Sequence, residues 1–213
     1  MDFARIYDLI QSNIDLESLL TPIIPYLNVN DVVIDAGCGT GHILTFLAKR
    51  GFHMIGLDYD ESMLSLAKDK VDSNHLDAKL FLHDLRKPLG IKVSQIISLL
   101  DVSHYFMGVK KVFKNYYDAL YDGGTLILDL YKEPIQSTES DDDPIDYVWE
   151  VQTKNTIIKH KLTVNIDGVS KTFEVKEYYY PLEYYLSTLK SLGFKVEIIP
   201  SFDDRKVNVI CKK

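Results

Sequence analysis

The sequence predicts an α/β fold, an open and mostly parallel sheet with helices on both sides. Three observations carry this. Val32-Val33-Ile34 is a short β-branched run that passes abruptly into Gly37-Cys38-Gly39-Thr40-Gly41 and then into a helical pattern ending near Arg50. Short apolar runs then alternate with amphipathic stretches as far as residue 130. Two further strand-like runs, Phe194–Pro200 and Lys206–Cys211, close the chain as a hairpin. A strand feeding a glycine turn feeding a helix is the geometry that cradles nucleotides, and Asp35 sits at the carboxyl end of that strand, where open α/β sheets place their ligands.

Composition sets outer bounds. With 213 residues, of which 46% are hydrophobic and 26% charged, the chain can bury one sizeable core, so residues 1–213 are expected to form a single domain. No apolar run is as long as a membrane span, and the N-terminus has no leader pattern, so no membrane partner is expected. Cys38 and Cys211 have neither disulfide-framework nor zinc spacing, which points to a reducing, cytoplasmic setting. A net charge of −7 without a long Lys/Arg cluster speaks against a nucleic-acid partner. No His/Cys/Asp cluster has metal-ligand spacing, so no metal is expected. The glycine stretch lacks both the serine of a nucleophile elbow and the Gly-Lys-Ser/Thr of a phosphate loop.

Taken in order, residues 1–27 form helical pieces ahead of the sheet, with Phe3, Ile6, Tyr7 and Ile10 at helical spacing and Pro22 and Pro25 breaking the second piece. The helix from Gly41 buries Ile43, Leu44, Leu47 and Ala48, and Gly51 stops it. Phe52–Leu57 is the second strand. Asp58 ends it, placed to accept hydrogen bonds from two ribose hydroxyls. Asp60 caps the next helix, whose Met63, Leu64 and Ala67 face inward; Tyr59 and Met63 could flank an adenine, Met63 equally being core. Lys79–His83 is a third strand, with His83 expected as a strand-end histidine rather than a base, and Gln95–Leu100 a fourth. Val109–Tyr121 is a helix, Asp122-Gly123-Gly124 a turn, and Thr125–Leu130 a fifth strand. Ser140–Pro144 is an acidic loop. Tyr147–Thr153, Thr156–Val164 and Val169–Tyr178 then form a three-stranded antiparallel meander, and Pro181–Leu192 a helix stopped by Gly193.

The spacing Asp35-Ala36-Gly37-Cys38-Gly39-Thr40-Gly41 differs from the dinucleotide fingerprint, whose third glycine falls one residue later. It resembles motif I of the class I S-adenosylmethionine-dependent methyltransferases, E/D-x-G-x-G-x-G, and the chain is similar to small bacterial members of the UbiE/YqeM-like sort. The resemblance covers residues 32–130 and, less fully, 181–213. It implies a Rossmann-like seven-stranded sheet, mostly parallel with an antiparallel last strand. It also implies S-adenosylmethionine as cofactor, S-adenosylhomocysteine as product, and methyl transfer to N, O or S of a small molecule by a monomer or homodimer.

In such enzymes the glycine loop, here Gly37, Cys38, Gly39, Thr40 and Gly41 with Asp35 before it, meets the amino-acid end of the cofactor. Tyr7, in Phe-x-x-x-Tyr-Asp, either reaches the carboxylate region or packs in the apolar stripe. Asp84-Leu85 matches the position that meets the adenine. Asp101 would stand beside the sulfonium, and His104 and Tyr105 would face the acceptor, His104 either as a base or as a wall. Residues 1–27 would cap the cofactor, and the β insert at 132–180 would serve as a substrate lid or a dimer surface. Three other readings stay open: an RNA or protein methyltransferase, a non-catalytic S-adenosylmethionine-binding module, and a nicotinamide oxidoreductase.

Overall fold

A computed structural model describes residues 1–213. Helices α1 (Phe3–Gln11) and α2 (Leu16–Leu20) precede strand β1 (Val32–Ala36). There follow α3 (His42–Lys49), β2 (His53–Asp58), α4 (Glu61–Ser73), β3 (Ala78–Leu82), β4 (Val93–Ser98), α5 (Lys110–Ala119) and β5 (Leu120–Tyr131). Strands β6 (Gln136–Asp141), β7 (Asp146–Lys154), β8 (Ile157–Ile166) and β9 (Val169–Tyr178) come next, then α6 (Leu182–Ser191), β10 (Lys195–Pro200) and β11 (Lys206–Lys212).

The main sheet has the order β10-β11-β5-β4-β1-β2-β3. β3, β2, β1, β4 and β5 pair in parallel, and β11 lies antiparallel against β5. Parallel strands covered on both faces need apolar residues in succession. β1 sends Val33 to one side and Ile34 to the other, and β4 does the same with Ile97 and Ile96. One layer seats Val112, Phe113 and Tyr116 of α5 and Tyr185 and Leu189 of α6. The opposite layer seats Leu20 of α2, Leu44 and Leu47 of α3, and Val71 of α4. Asp15 and Asp60 cap α2 and α4, their carboxylates accepting backbone N–H groups of the first turn. The strand order reverses between β1 and β4, so the glycine turn after β1 opens at a topological switch point.

A second, antiparallel sheet has the order β6-β7-β8-β9, inserted between β5 and α6. It has four strands where three were expected. The extra strand, β6, takes in Ser140 and Asp141, placed by the sequence in an acidic loop. They pair with Val148 and Tyr147 through backbone alone, at an edge, so no apolar alternation marks them. The turn expected at Asp122–Gly124 also lies within a strand. β5 begins at Leu120 and passes through Gly123, with φ of +81°, and the register against β4 shifts there, as at a β-bulge. The inner face of the insert packs on α1. Ile6 and Ile10 bury themselves against Ile145, Leu162 and Val164, so α1 and the small sheet share one apolar core.

Candidate active site

Above the carboxyl ends of β1, β2 and β4 lies a cavity of about 420 Å³, within the range of small-molecule sites. The turn after β1 shapes its floor. Gly37 has φ of +84°, and a Cβ there would come within 2.6 Å of Val102, so only glycine lets the chain pass. The N–H groups of Gly37 and Cys38 both donate to the Leu57 carbonyl, at 2.7 and 3.0 Å, which ties the turn to the end of β2. Gly39, at φ of +52°, would project a Cβ into free space on the cavity wall.

Carboxylates stand at both strand ends. Asp58 accepts from the Gly39 N–H at 2.7 Å and from the Asp60 N–H at 3.0 Å. Burial raises its carboxyl despite these bonds. Asp35 is 2% exposed and lines the cavity, and its Oδ2 has no hydrogen-bond partner. Burial, then the neighbouring charge of Asp58, pushes it up to about 7. Two more buried wall atoms lack partners, Thr40 Oγ1 and Gln11 Oε1. Tyr59, Met63, Asp84, Leu85, Cys38 and Tyr105 also line the cavity.

The roof is α1, whose Phe3, Tyr7 and Gln11, four residues apart, face down together. Tyr7 lines the cavity and also packs its ring against Phe3 and Trp149. A polar cluster fastens α1 in place: Asp8 forms an ion pair with Lys70 of α4 and lies 2.8 Å from the His42 ring of α3. Lys70 also donates to the Thr40 carbonyl at 2.9 Å.

Comparison with known proteins agrees with this architecture. The sequence model described as "Methyltransferase domain" matches residues 33–124. YqeM of Bacillus subtilis, named as a candidate methyltransferase, is 27% identical over 215 aligned positions, covering 91% of this chain and 85% of YqeM. An S-adenosylmethionine-dependent methyltransferase from Clostridium acetobutylicum has a TM-score of 0.80 at 24% identity, over 99% of this chain and 97% of that one. The sugar N-methyltransferase KedS8 from a Streptoalloteichus species has a TM-score of 0.75 at 16% identity, over 97% and 92%. The chain is thus similar to class I S-adenosylmethionine-dependent methyltransferases, in sequence over residues 33–124 and in fold over nearly its whole length.

Not every residue singled out from the sequence faces the cavity. Gly41 caps α3 at φ of +82°, and a Cβ there would meet Ala67 at 2.9 Å; it sets the approach of α3 to α4 and does not line the cavity. Asp101 does not line it either. Its carboxylate is taken by Lys206 at 2.8 Å and by the Tyr131 hydroxyl at 2.9 Å. Burial pushes Asp101 up, but Lys206 outweighs it and holds the carboxyl below its usual range. His104 is fully buried. Its Nδ1 lies 3.0 Å from the Tyr178 carbonyl and 3.1 Å from the Tyr185 hydroxyl, and its Nε2 accepts from the Tyr131 N–H. It has no free nitrogen to offer an acceptor, so it is a structural histidine. Asp84 does line the cavity, but Arg86 grips it with two bonds of 2.8 and 3.0 Å and lowers it to about 2.

Leu100 and Asp101 have φ of +58° and +70°, which costs energy for residues with a Cβ. Asp129 of β5 holds them, its carboxylate accepting both N–H groups at 3.1 and 3.2 Å, while Lys206 of β11 neutralises it at 3.1 Å. The strained turn presents Leu100 and Val102 to the cavity. Sequence reasoning missed this support, along with Phe3, Gln11, Arg86 and Val175 on the walls. Only the helical spacing of Phe3 and Tyr7 extended to Gln11 could have found one of them. No group of three or more His, Cys, Asp or Glu side chains is placed to hold a metal ion, and no helix is long and apolar enough to cross a membrane.

Proposed function

We propose that this enzyme moves the methyl group of S-adenosylmethionine to a nitrogen, oxygen or sulfur of a small molecule and releases S-adenosylhomocysteine. The observation that carries the reading is the set of unpartnered polar atoms on the cavity wall: Asp35 Oδ2, Thr40 Oγ1 and Gln11 Oε1, beside the open space at Gly39. Buried polar atoms of a native protein have partners, and a polar ligand in this cavity would supply them. An adenosine joined to an amino acid carries hydroxyl and ammonium donors for such acceptors. Asp58 would take the ribose hydroxyls, Leu85 and Met63 would flank the base, and Asp35 and the glycine loop would meet the amino-acid end. The bound sulfonium supplies an activated methyl whose leaving group is a neutral thioether.

The protein's own task is then alignment and exclusion of water. The strained turn at Leu100–Asp101 sets one wall, and α1 with Val175 of β9 closes the site from above. That closure favours a small acceptor, for a macromolecule needs an open groove. It also favours a lid role for residues 1–27 and 132–180 over a dimer surface. The likeness to KedS8, which is named as a sugar N-methyltransferase, agrees in acceptor size. Calorimetry with S-adenosylhomocysteine tests the cofactor: folded protein that binds neither it nor S-adenosylmethionine refutes the reading. Methyl transfer to bulk RNA, with none to a mixed pool of small metabolites, would replace the acceptor class.

A further inference from the structure

The cavity wall divides by element. The sheet order puts β4 on one side of β1, and β2 and β3 on the other. The charged side chains of the wall, Asp35, Asp58, Asp60, Asp84 and Arg86, all end or follow β1, β2 and β3. The β4 end adds only apolar and aromatic residues: Leu99, Leu100, Val102, Tyr105 and Phe106. Phe3 and Tyr7 of α1 and Val175 of β9 complete this corner. Contacts tie its parts together. The Tyr178 carbonyl of β9 lies 3.0 Å from Nδ1 of His104, the residue before Tyr105. Phe3 packs on Phe173 of β9, their ring centres 5.5 Å apart.

This corner is unsuited to the cofactor's polar groups. A ribose, an ammonium and a carboxylate need charged or hydrogen-bonding partners, and those stand at the ends of β1, β2 and β3. What the corner offers is ring faces and two phenols. The buried Tyr131 and Tyr185 have their hydroxyls tied to Asp101 and His104. Tyr7 and Tyr105 line the cavity, and neither hydroxyl has a partner in the protein. Burial raises both phenols, and neighbouring carboxylates raise them further, so both keep their protons at neutral pH. Each can bond a neutral polar atom of a ligand, but neither can balance a charge.

We propose that this corner is the acceptor subsite, and that it takes an uncharged small molecule built on a flat apolar ring. The inference rests on the methyltransferase reading above. Phe3, Tyr105 and Phe106 leave apolar surface facing the cavity, and a ring laid against them removes it from water. Ions of either sign are disfavoured there. The carboxylates that act on the phenols repel an anion. An acceptor has to stand next to the sulfonium, so a cation is repelled as well, and burial opposes both charges. A sugar-like body is disfavoured for another reason: its hydroxyls outnumber the two phenols and would lie unpartnered against ring faces.

The test is calorimetry on the full chain with S-adenosylhomocysteine bound. The probes are naphthol, its ionic counterparts naphthoate and naphthylmethylammonium, and glucose. Naphthol is expected to bind about tenfold or more tightly than either ion or glucose, since those bring polar groups that the corner cannot satisfy. Tyr105→Ala is expected to weaken naphthol about tenfold, whereas Tyr105→Phe, which keeps the ring, loses only a few-fold. Both variants are expected to bind S-adenosylhomocysteine as wild type does, which also reports that they are folded. An ion or glucose binding as well as naphthol, no binding of naphthol, or an affinity for it untouched by Tyr105→Ala overturns the inference and leaves the methyltransferase reading standing. A Tyr105→Ala variant of unchanged circular dichroism that loses S-adenosylhomocysteine as well assigns the corner to the cofactor and overturns it too. Wild-type protein that binds no S-adenosylhomocysteine brings down both.

Discussion

Asp35 and Asp58 divide the work at the strand ends by how many partners the protein gives them. Asp58 already accepts two backbone N–H groups and is held in one orientation for a ligand. Removing it as Asp58→Ala is expected to weaken S-adenosylhomocysteine binding by about one to two orders of magnitude in calorimetry, as the loss of two charge-assisted hydrogen bonds requires. Asp35 titrates near 7 in the folded protein, against about 4 in an unfolded chain. Between those values the folded state holds the extra proton, so the contribution of Asp35 to stability falls as pH rises from about 4 to about 7. A ligand donor needs the anion, so affinity moves the other way, strengthening as pH rises through about 7; Asp35→Asn is expected to flatten this profile. Lys206 is the third decisive residue. Lys206→Met leaves two carboxylates facing each other in the interior and is expected to cost about 3–5 kcal/mol in denaturant unfolding. The glycine loop, Asp35 and Asp58 were legible in the sequence because strand, turn and acid are close neighbours along it. Lys206 was not. Nothing local marks a lysine in a terminal strand as the counter-ion of Asp101 and Asp129, and the same holds for the burial of His104 behind Tyr131 and Tyr185.

Among the elements, α1 has little local support and much to do. It has nine residues, Asp2 as its cap, and no acidic residue in its first turn, short of the length at which a helix stands alone in water. The contacts of Asp8 with Lys70 and His42 therefore add to the apolar seat of Ile6 and Ile10 in holding it on the cavity. Burial alone would raise Asp8, but the hydrogen bond from Lys70 leads the opposing effects that bring it below its usual value. The support it gives is present above about pH 4 and is lost as pH falls through that lowered value. Asp8→Ala is expected to speed hydrogen exchange of the α1 amides and weaken S-adenosylhomocysteine binding several-fold, with the main sheet unchanged. The helical stripe of α1 could be read from Phe3, Ile6, Tyr7 and Ile10, but its partners on α3 and α4 could not. β6 was hidden for a different reason: an edge strand with an exposed, polar sequence pairs through its backbone, and side-chain patterning is silent about that.

At the scale of the molecule, two bodies of unequal strength meet at the cavity. The main sheet is packed on both faces by two large apolar cores, whereas α1 and the small sheet share a core of a few residues. Leu162→Ala, in that small core, is expected to cost about 2–5 kcal/mol locally. Its signature is faster amide exchange in β7–β9 and α1, partly reversed by added S-adenosylhomocysteine, while the main sheet keeps wild-type protection. The order of synthesis bears on that small core too. Ile6 and Ile10 leave the ribosome early, yet the strand against which they bury, carrying Leu162 and Val164, is translated only after the whole of β1 to β5. Until then the first helix has only its polar contacts with α3 and α4, and its greasy side stays uncovered while the rest of the sheet is already assembling.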